Sequence, residues 1–264
     1  MKSLFLILMV LFPILGFCEA SKFVILILSY NNQKWVEQNL ESALSQDYEN
    51  FRVIYVNDAS SDRTLEIANK FIENHPRKEK VALFSNLFNQ GTMSNFYFYT
   101  HKYIDYDEIV VTLDGDDTLA HPQVLKVLAE VYDDKEADIW ITYGQYRTTF
   151  NEKGHCQAVA PTKNLNFFRM CPFYFSHLRT YRAWLFKKIA KIDFMHKRQF
   201  YQVAADVALM LPMMEMARNG HYRFIPNELY VYNTSNPISD FKLKPEFQVA
   251  TERYIKRKKP YQAL

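Results

Sequence analysis

The sequence predicts an α/β fold, a mostly parallel open sheet with helices on both faces, and three observations carry that prediction. Unbroken apolar runs alternate with segments of helical spacing from Phe23 to Tyr143. The runs lack the in-out alternation of a half-exposed strand, as strands buried on both faces do. The length of 264 residues suits one hydrophobic core better than two large independent ones.

Taken in order, Lys22 to Ser29 holds Phe-Val-Ile-Leu-Ile-Leu and reads as the first strand. Asn31-Asn32 makes a turn, and Trp35, Val36, Leu40, Ala43 and Leu44 then recur at helical spacing toward Asp47. Phe51 to Val56 is a second strand, followed by a helix over Thr64 to Glu73 with Ser61 or Asp62 as its cap. Val81 to Phe84 is a third strand, Thr92 to Tyr103 a helix, and Glu108 to Leu113 a fourth strand. Pro122 opens a helix to Tyr132, and Asp138 to Tyr143 is the next strand. From Gly144 to Ser176 periodicity fails, which predicts a long functional loop region above the sheet. Helical spacing returns at Arg182 to Ala190 and Ala204 to Ala217, and Tyr222 to Ile225 and Leu229 to Tyr232 read as short strands.

The flanks and the composition narrow the function. Lys2, the apolar stretch Leu4 to Phe17 and Cys18-Glu19-Ala20 together read as a signal peptide over residues 1–20, which predicts export; an uncleaved anchor is the alternative. Residues 21–264 then form one catalytic domain, with a ligand-binding half at 21–143, a second half at 144–232 and a basic tail at 233–264. Cys156 and Cys171 would remain, as a pair or as two free thiols; neither has a Cys or His at zinc-ligand spacing. A net charge of +3 is too small to argue for nucleic acid. Tyr and Phe gather in Asn95 to Tyr106 and Phe167 to Tyr181, as core or as walls of a sugar pocket. The cations of Arg253 to Lys259 make either a solvated terminus or a contact with an anionic membrane surface.

In an open α/β sheet ligands bind beyond the carboxyl ends of the strands. Those ends are polar here: Ser29-Tyr30-Asn31-Asn32, then Asn57-Asp58-Ala59-Ser60-Ser61-Asp62, then Asp114-Gly115-Asp116-Asp117. Three carboxylates in one turn repel one another, and a hard cation such as Mg²⁺ or Mn²⁺ shared with substrate phosphates is the usual relief. A calcium loop would need a longer series of oxygen ligands and a distal Glu, which are missing. Asp58 can accept from a nucleobase or a ribose, whereas Ser60, Ser61 and Asp62 shape the turn and cap the next helix.

The run Val24 to Asn31, the turn Val56 to Thr64 and Leu113-Asp114-Gly115-Asp116-Asp117 resemble, in order and spacing, the family 2 glycosyltransferases of the GT-A fold. That resemblance covers Phe23 to Tyr232. It implies a nucleotide-sugar donor, usually a UDP-sugar, held by Ser29, Tyr30, Asn31 and Asp58. Asp114 would touch the ribose or donor sugar, and Asp116 and Asp117 would carry the metal. Ala204 to Met210 is similar to the family's acidic motif and points to Asp206 as the catalytic base, in a single displacement that inverts the anomeric carbon. A carboxylate in hydrogen-bond reach of an acceptor hydroxyl can take its proton as the new bond forms. His177, Arg179 and Arg182 fall where such enzymes hold the acceptor or the diphosphate, unless they are plain surface cations.

Two departures qualify the resemblance. No Gln-x-x-Arg-Trp sequence occurs, so it is to enzymes that add one sugar, and no His follows His221 to serve as a C-terminal metal ligand. A glycan, lipid or protein acceptor is compatible with the sequence. A non-catalytic protein that binds nucleotide-sugars and is exported is the competing reading, and retention of the acidic turn and Asp206 argues against it. A nucleotidyltransferase would carry a Gly-rich loop after the first strand, which is absent.

Overall fold

A computed structural model describes residues 20–237, 240–243 and 245–264. The signal-peptide expectation therefore falls, apart from Ala20, outside the described residues. Among those residues no helix is long and apolar enough to cross a membrane.

The first half follows the expected alternation: β1 (Phe23–Ser29), α1 (Val36–Leu44), β2 (Phe51–Asn57), α2 (Thr64–Asn74), β3 (Val81–Ser85), α3 (Thr92–Tyr103), β4 (Ile109–Asp114), a two-residue β5 (Thr118–Leu119) and α4 (Val124–Tyr132). The second half runs β6 (Ile141–Thr148), α5 (Phe167–Met170), β7 (Thr180–Arg182), α6 (Ala183–Lys187), the hairpin β8 (Met195–His196) and β9 (Gln199–Phe200), α7 (Ala205–Met216), β10 (Tyr222–Tyr232), α8 (Asp240–Leu243) and α9 (Pro245–Lys256). Eight strands form one sheet in the order β3-β2-β1-β4-β7-β6-β10-β5, in which only β7 and β5 run against their neighbours.

Both faces of this sheet are covered, which is why its strands are apolar throughout. Val24 and Leu26 of β1 join Ile54, Val56 and Val110 in a core that takes in Met93 and Phe96 of α3 and most of α7. Phe23, Ile25 and Ile27 face the other way, onto Val36, Leu40 and Ala43 of α1 and Leu125 and Leu128 of α4. The side-chain period of two sends alternate residues to opposite cores. Each Val, Leu or Ile so buried contributes about 1.5–3 kcal/mol. The aromatic clusters are mostly core: Phe96, Tyr99, Phe168, Phe175 and Tyr181 all lie in the first of these.

Several expectations for the second half need correction. Loss of periodicity at Gly144 is not a strand end, since β6 continues to Thr148 alongside β10. The two short strands expected at Tyr222 and Leu229 are one strand, interrupted by register shifts at Ile225/Glu228 and Glu228/Tyr230. The helix expected over Arg182 to Ala190 spans only Ala183–Lys187. The basic tail is folded on one side while Arg253, Arg257 and Lys259 stay exposed. Residues 245–256 form α9, Ile255 is buried, its carbonyl accepts from Arg169 Nη1 at 2.7 Å, and the Tyr261 N–H donates to Glu215 at 2.8 Å. Arg169 and Glu215 are themselves a buried ion pair, so the C-terminus is tied to α7 through a satisfied polar network. Cys156 and Cys171 are free thiols.

Candidate active site

The carboxyl ends of β1 and β4 and the N-terminus of α7 enclose a pocket of about 320 Å³. Tyr30, Asp114, Asp116, Asp117, His177, Arg179 and Asp206 all line it. These residues come from four separate stretches of sequence, and the sheet order brings them together: β7, which follows His177 and Arg179, lies directly beside β4, which ends at Asp114.

The acidic turn is held from every side. Gly115 N–H donates to Leu28 O at 3.0 Å, and Asn39 of α1 donates to the carbonyls of both Asp114 and Asp117 at 2.9 Å. A Cβ on Gly115 would stand 2.6 Å from Ser29 Cβ and Oγ, so only glycine lets the turn rest on the end of β1. Asp117 is 1% exposed, and both its oxygens are engaged: Oδ2 accepts from Tyr230 Oη and Oδ1 from Asn233 N, each at 2.6 Å. Asp116 takes one amide donor, Asn236 Nδ2, at 2.6 Å. The expected metal pair is thus divided. Asp117 anchors the turn, and Asp116 has the freer carboxylate.

Across the turn, one ring nitrogen of His177 and one oxygen each of Asp114 and Asp117 lie within 4.8 Å of one another. The His177 ring stacks on Tyr230 at 4.3 Å, and its Nδ1 is buried without a partner. Burial, and then the charge of Arg179, keep this imidazole well below its ordinary pKa, so it presents a lone pair. The carboxylates shift the other way. Burial raises Asp116 to about 6 against the donation from Asn236. Burial and the charges of Asp116 and Asp114 raise Asp117 well above its usual value. One oxygen each of Asp114 and Asp117 and an imidazole nitrogen of His177 form a candidate donor set for a divalent cation, with Asp116 beside them in the same turn.

Arg179 links this cluster to the far wall. Its guanidinium, almost fully buried, reaches Asp114 Oδ2 at 3.5 Å and Asp206 Oδ2 at 3.9 Å. Burial alone would lower the guanidinium pKa, but Asp114 and Asp206 outweigh it and the net shift is upward. Asp206 sits in the first turn of α7, where the helix dipole favours a carboxylate, with its side chain 31% exposed to the pocket. An apolar sequence all round makes α7 a core helix, which fixes that position.

Four of the expected site residues lie outside this lining. Ser29 is buried beneath Gly115, and its Oγ accepts from Asn32 Nδ2 at 3.2 Å. Asn31 joins two turns: its N–H donates to Ser60 Oγ and its Oδ1 accepts from Ser61 N. Asp58 is also committed, Oδ1 accepting from Asn86 Nδ2 and Gln90 N and Oδ2 from Gly91 N, so its carboxylate shapes the entry to α3. Arg182 points to the opposite end of the sheet, where it donates to the carbonyls of Ile139 and Tyr132. Conversely, Gln202, Tyr232, Asn236 and Gln248 line the pocket unforeseen. Asn39 had a signal in the sequence, as a polar residue three positions after Val36 on the core-facing side of α1.

Residues 24–205 match the model of the family described as glycosyl transferase family 2. A Haemophilus influenzae protein named uncharacterized glycosyltransferase is 26% identical over 138 residues, 52% of each chain, so this chain spans about half the length of that curated relative. Among solved structures, S. aureus TarS 1-349 in complex with UDP-GlcNAc superimposes with a TM-score of 0.63 at 20% identity, over 89% of this chain and 65% of that one. The mannosyltransferase PcManGT from Pyrobaculum calidifontis, in complex with GDP-Man and Mn²⁺, gives 0.62 at 17% identity, over 93% and 66%.

Proposed function

Because this chain belongs to glycosyl transferase family 2 and has its GT-A fold, we propose that it transfers one sugar from a nucleotide-diphosphate donor, a UDP-sugar first, to a hydroxyl acceptor with inversion. The observation that carries the reading is Arg179. One guanidinium ties the acidic turn, where a diphosphate would lie, to Asp206, where an acceptor would lie, within a single pocket.

Asp206 takes the acceptor hydroxyl proton while that oxygen forms its bond to the anomeric carbon. The bond from that carbon to the diphosphate oxygen breaks, and its electron pair leaves with the diphosphate. Asp116 and Asp114 would hold a divalent cation, with the His177 ring nitrogen near Asp114, and such a cation would supply positive charge for the departing diphosphate. Arg179 adds fixed charge beside it, already oriented by two carboxylates. Asp117 keeps the turn in shape. Tyr30, 42% exposed at the pocket rim, offers its ring to the base.

The test is nucleotide release from a panel of UDP- and GDP-sugars with Mn²⁺. Asp206→Asn is expected to lower sugar transfer by about 10²–10⁴-fold while UDP still binds. Normal transfer by that variant would remove Asp206 from the base role.

A further inference from the structure

Gln202 lines the catalytic pocket. That residue also lines a second cleft of about 300 Å³, between the β8–β9 hairpin and α9, walled by Phe200, Tyr201, Phe247, Ala250 and Tyr254. On α9 the adjacent residues Phe247 and Gln248 divide between the two, Phe247 facing the cleft and Gln248 the catalytic pocket. At its far end Tyr254 is shared again, with a basin of about 670 Å³ that carries Lys197, Arg198, Lys258 and Lys259. Three adjacent hollows, bordered in turn by Gln202 and Tyr254, therefore carry three chemistries in order: a carboxylate at Asp206, an aromatic trough, and a cationic end.

The charge at that end is not cancelled locally. Asp193 is the one carboxylate in the lining, and it is already used, accepting from Tyr261 Oη at 2.6 Å and from Lys258 Nζ at 3.4 Å. Lys197, Arg198 and Lys259 are exposed. Lys197 and Arg198 are moreover the two central residues of the hairpin turn, at φ 48° and 66°. Such a turn favours Asn-Gly, and two long cations there cost backbone energy that a plain turn would avoid.

We propose that this cleft is the acceptor subsite and that the acceptor is an anionic glycan. Its reacting hydroxyl lies at Asp206, its sugar rings lie against the exposed Phe247 and Tyr254, and a phosphate or carboxylate further along the chain is held by Lys197, Arg198 and Lys259. Aromatic faces give rigid apolar area to the ring C–H surfaces. The cationic end adds salt-dependent attraction and selects against neutral chains. The inference rests on the glycosyltransferase reading, because it places the acceptor by reference to Asp206.

The test uses the full chain and an array of oligosaccharides matched in length, each in a neutral form and in a phosphorylated or carboxylated form, with vesicles of phosphatidylcholine and phosphatidylglycerol as a second arm. Bound chains are expected to be anionic and to be released by salt. Phe247→Ala and the double variant Arg198→Glu/Lys259→Glu should each weaken binding by about tenfold or more. Equal binding of neutral chains, no oligosaccharide binding at all, or indifference to Phe247→Ala would overturn the proposal. Capture by the vesicles without oligosaccharide binding would also overturn it, in favour of a membrane surface. UDP binding by the wild-type protein is read in the same samples by thermal shift. Its absence would count against the donor site alone, since glycan binding is measured without donor.

Discussion

The two walls of the catalytic pocket are built on opposite plans. On the proposed donor side, polar residues at the ends of β1, β2 and β4 are spent on hydrogen bonds within the protein: Asn31 on Ser60 and Ser61, Asp58 on Asn86, Gln90 and Gly91, Asp117 on Tyr230 and Asn233. On the proposed acceptor side, Asp206 accepts a hydrogen bond from the adjacent Val207 N–H at 2.9 Å and makes a long contact with Arg179 at 3.9 Å. The carboxylates proposed for the chemistry, Asp116 and Asp206, are less engaged than those inside the first network. The difference teaches that a motif residue at a strand end can serve the shape of the site without touching its ligand. Preorganised groups that hold their geometry before substrate arrives are what transition-state stabilisation requires.

The sharpest way to break the donor wall is to thicken its thinnest point. Gly115→Ala places a methyl 2.6 Å from Ser29 and 2.7 Å from Asn32 Nδ2, with Asn39 fixing the turn from behind. We expect a loss of about 3 kcal/mol, the upper part of the range for overpacking, and loss of nucleotide release. Chemical denaturation and the UDP assay read the two effects. Adding Ser29→Gly removes two of the three clashing atoms and should recover part of the stability, as residues in contact do not add independently. Full stability in Gly115→Ala alone would show that the turn yields, and that this wall is less rigid than its hydrogen bonds suggest.

The next test separates the two neighbouring aspartates that look alike in sequence. Asp117→Asn turns one acceptor into a donor facing Tyr230 Oη or Asn233 N–H, and should cost about 2 kcal/mol. Asp116→Asn should leave folding nearly intact and weaken Mn²⁺ binding by more than about tenfold. Protonation sharpens the contrast. The folded Asp116 carboxyl is raised to about 6 from an ordinary 3.8, so it binds its proton more tightly when folded. The Asp116 contribution to the stability of the metal-free protein should therefore be fully present below that ordinary value and be lost as pH rises through about 6, with Asp116→Asn removing that part of the slope. Mn²⁺ competes with the same proton, so its affinity should fall as pH drops below about 6. Melting curves across pH with and without Mn²⁺ check both; a flat metal-free profile would mean that the carboxylate is not confined as the geometry indicates.

The fold was legible where elements are long and buried. The apolar runs marked β1, β2 and β4, and helical spacing located α1 to α4 and α7, because each buries residues at its own period. Strands of two or three residues, such as β5 and β7, are too short to show a period. The register shifts around Glu228 made β10 read as two strands. In α9 only Thr251 and Ile255 are buried, too few to stand out among charged neighbours. The site was legible in a different sense. Position at strand ends marked the acidic turn with Asp114 and Asp116, and the family resemblance pointed to Arg179 and Asp206, yet neither could separate residues free to meet a ligand from residues spent on structure. The bond that commits Asp117 comes from Asn233, 116 positions away, and no local pattern announces it.

Arg182 provides the smallest and most discriminating contrast, because it lies only three residues from Arg179. Strand β7 puts it at the far end of the sheet, where Nε donates to Ile139 O at 3.0 Å, Nη2 donates to Tyr132 O at 3.1 Å, and the guanidinium lies over the Tyr132 ring. These contacts close the carboxyl end of α4 onto the start of β6 and have no route to the pocket. Arg182→Ala should therefore cost about 1 kcal/mol of stability with UDP release and its metal dependence unchanged. Arg179→Ala, by comparison, leaves Asp114 and Asp206 without the charge between them and should lower transfer far more than it lowers the melting temperature. If Arg182→Ala instead reduces transfer at unchanged stability, that end of β7 takes part in the reaction after all, and the division between structural and reactive ends of the sheet fails there.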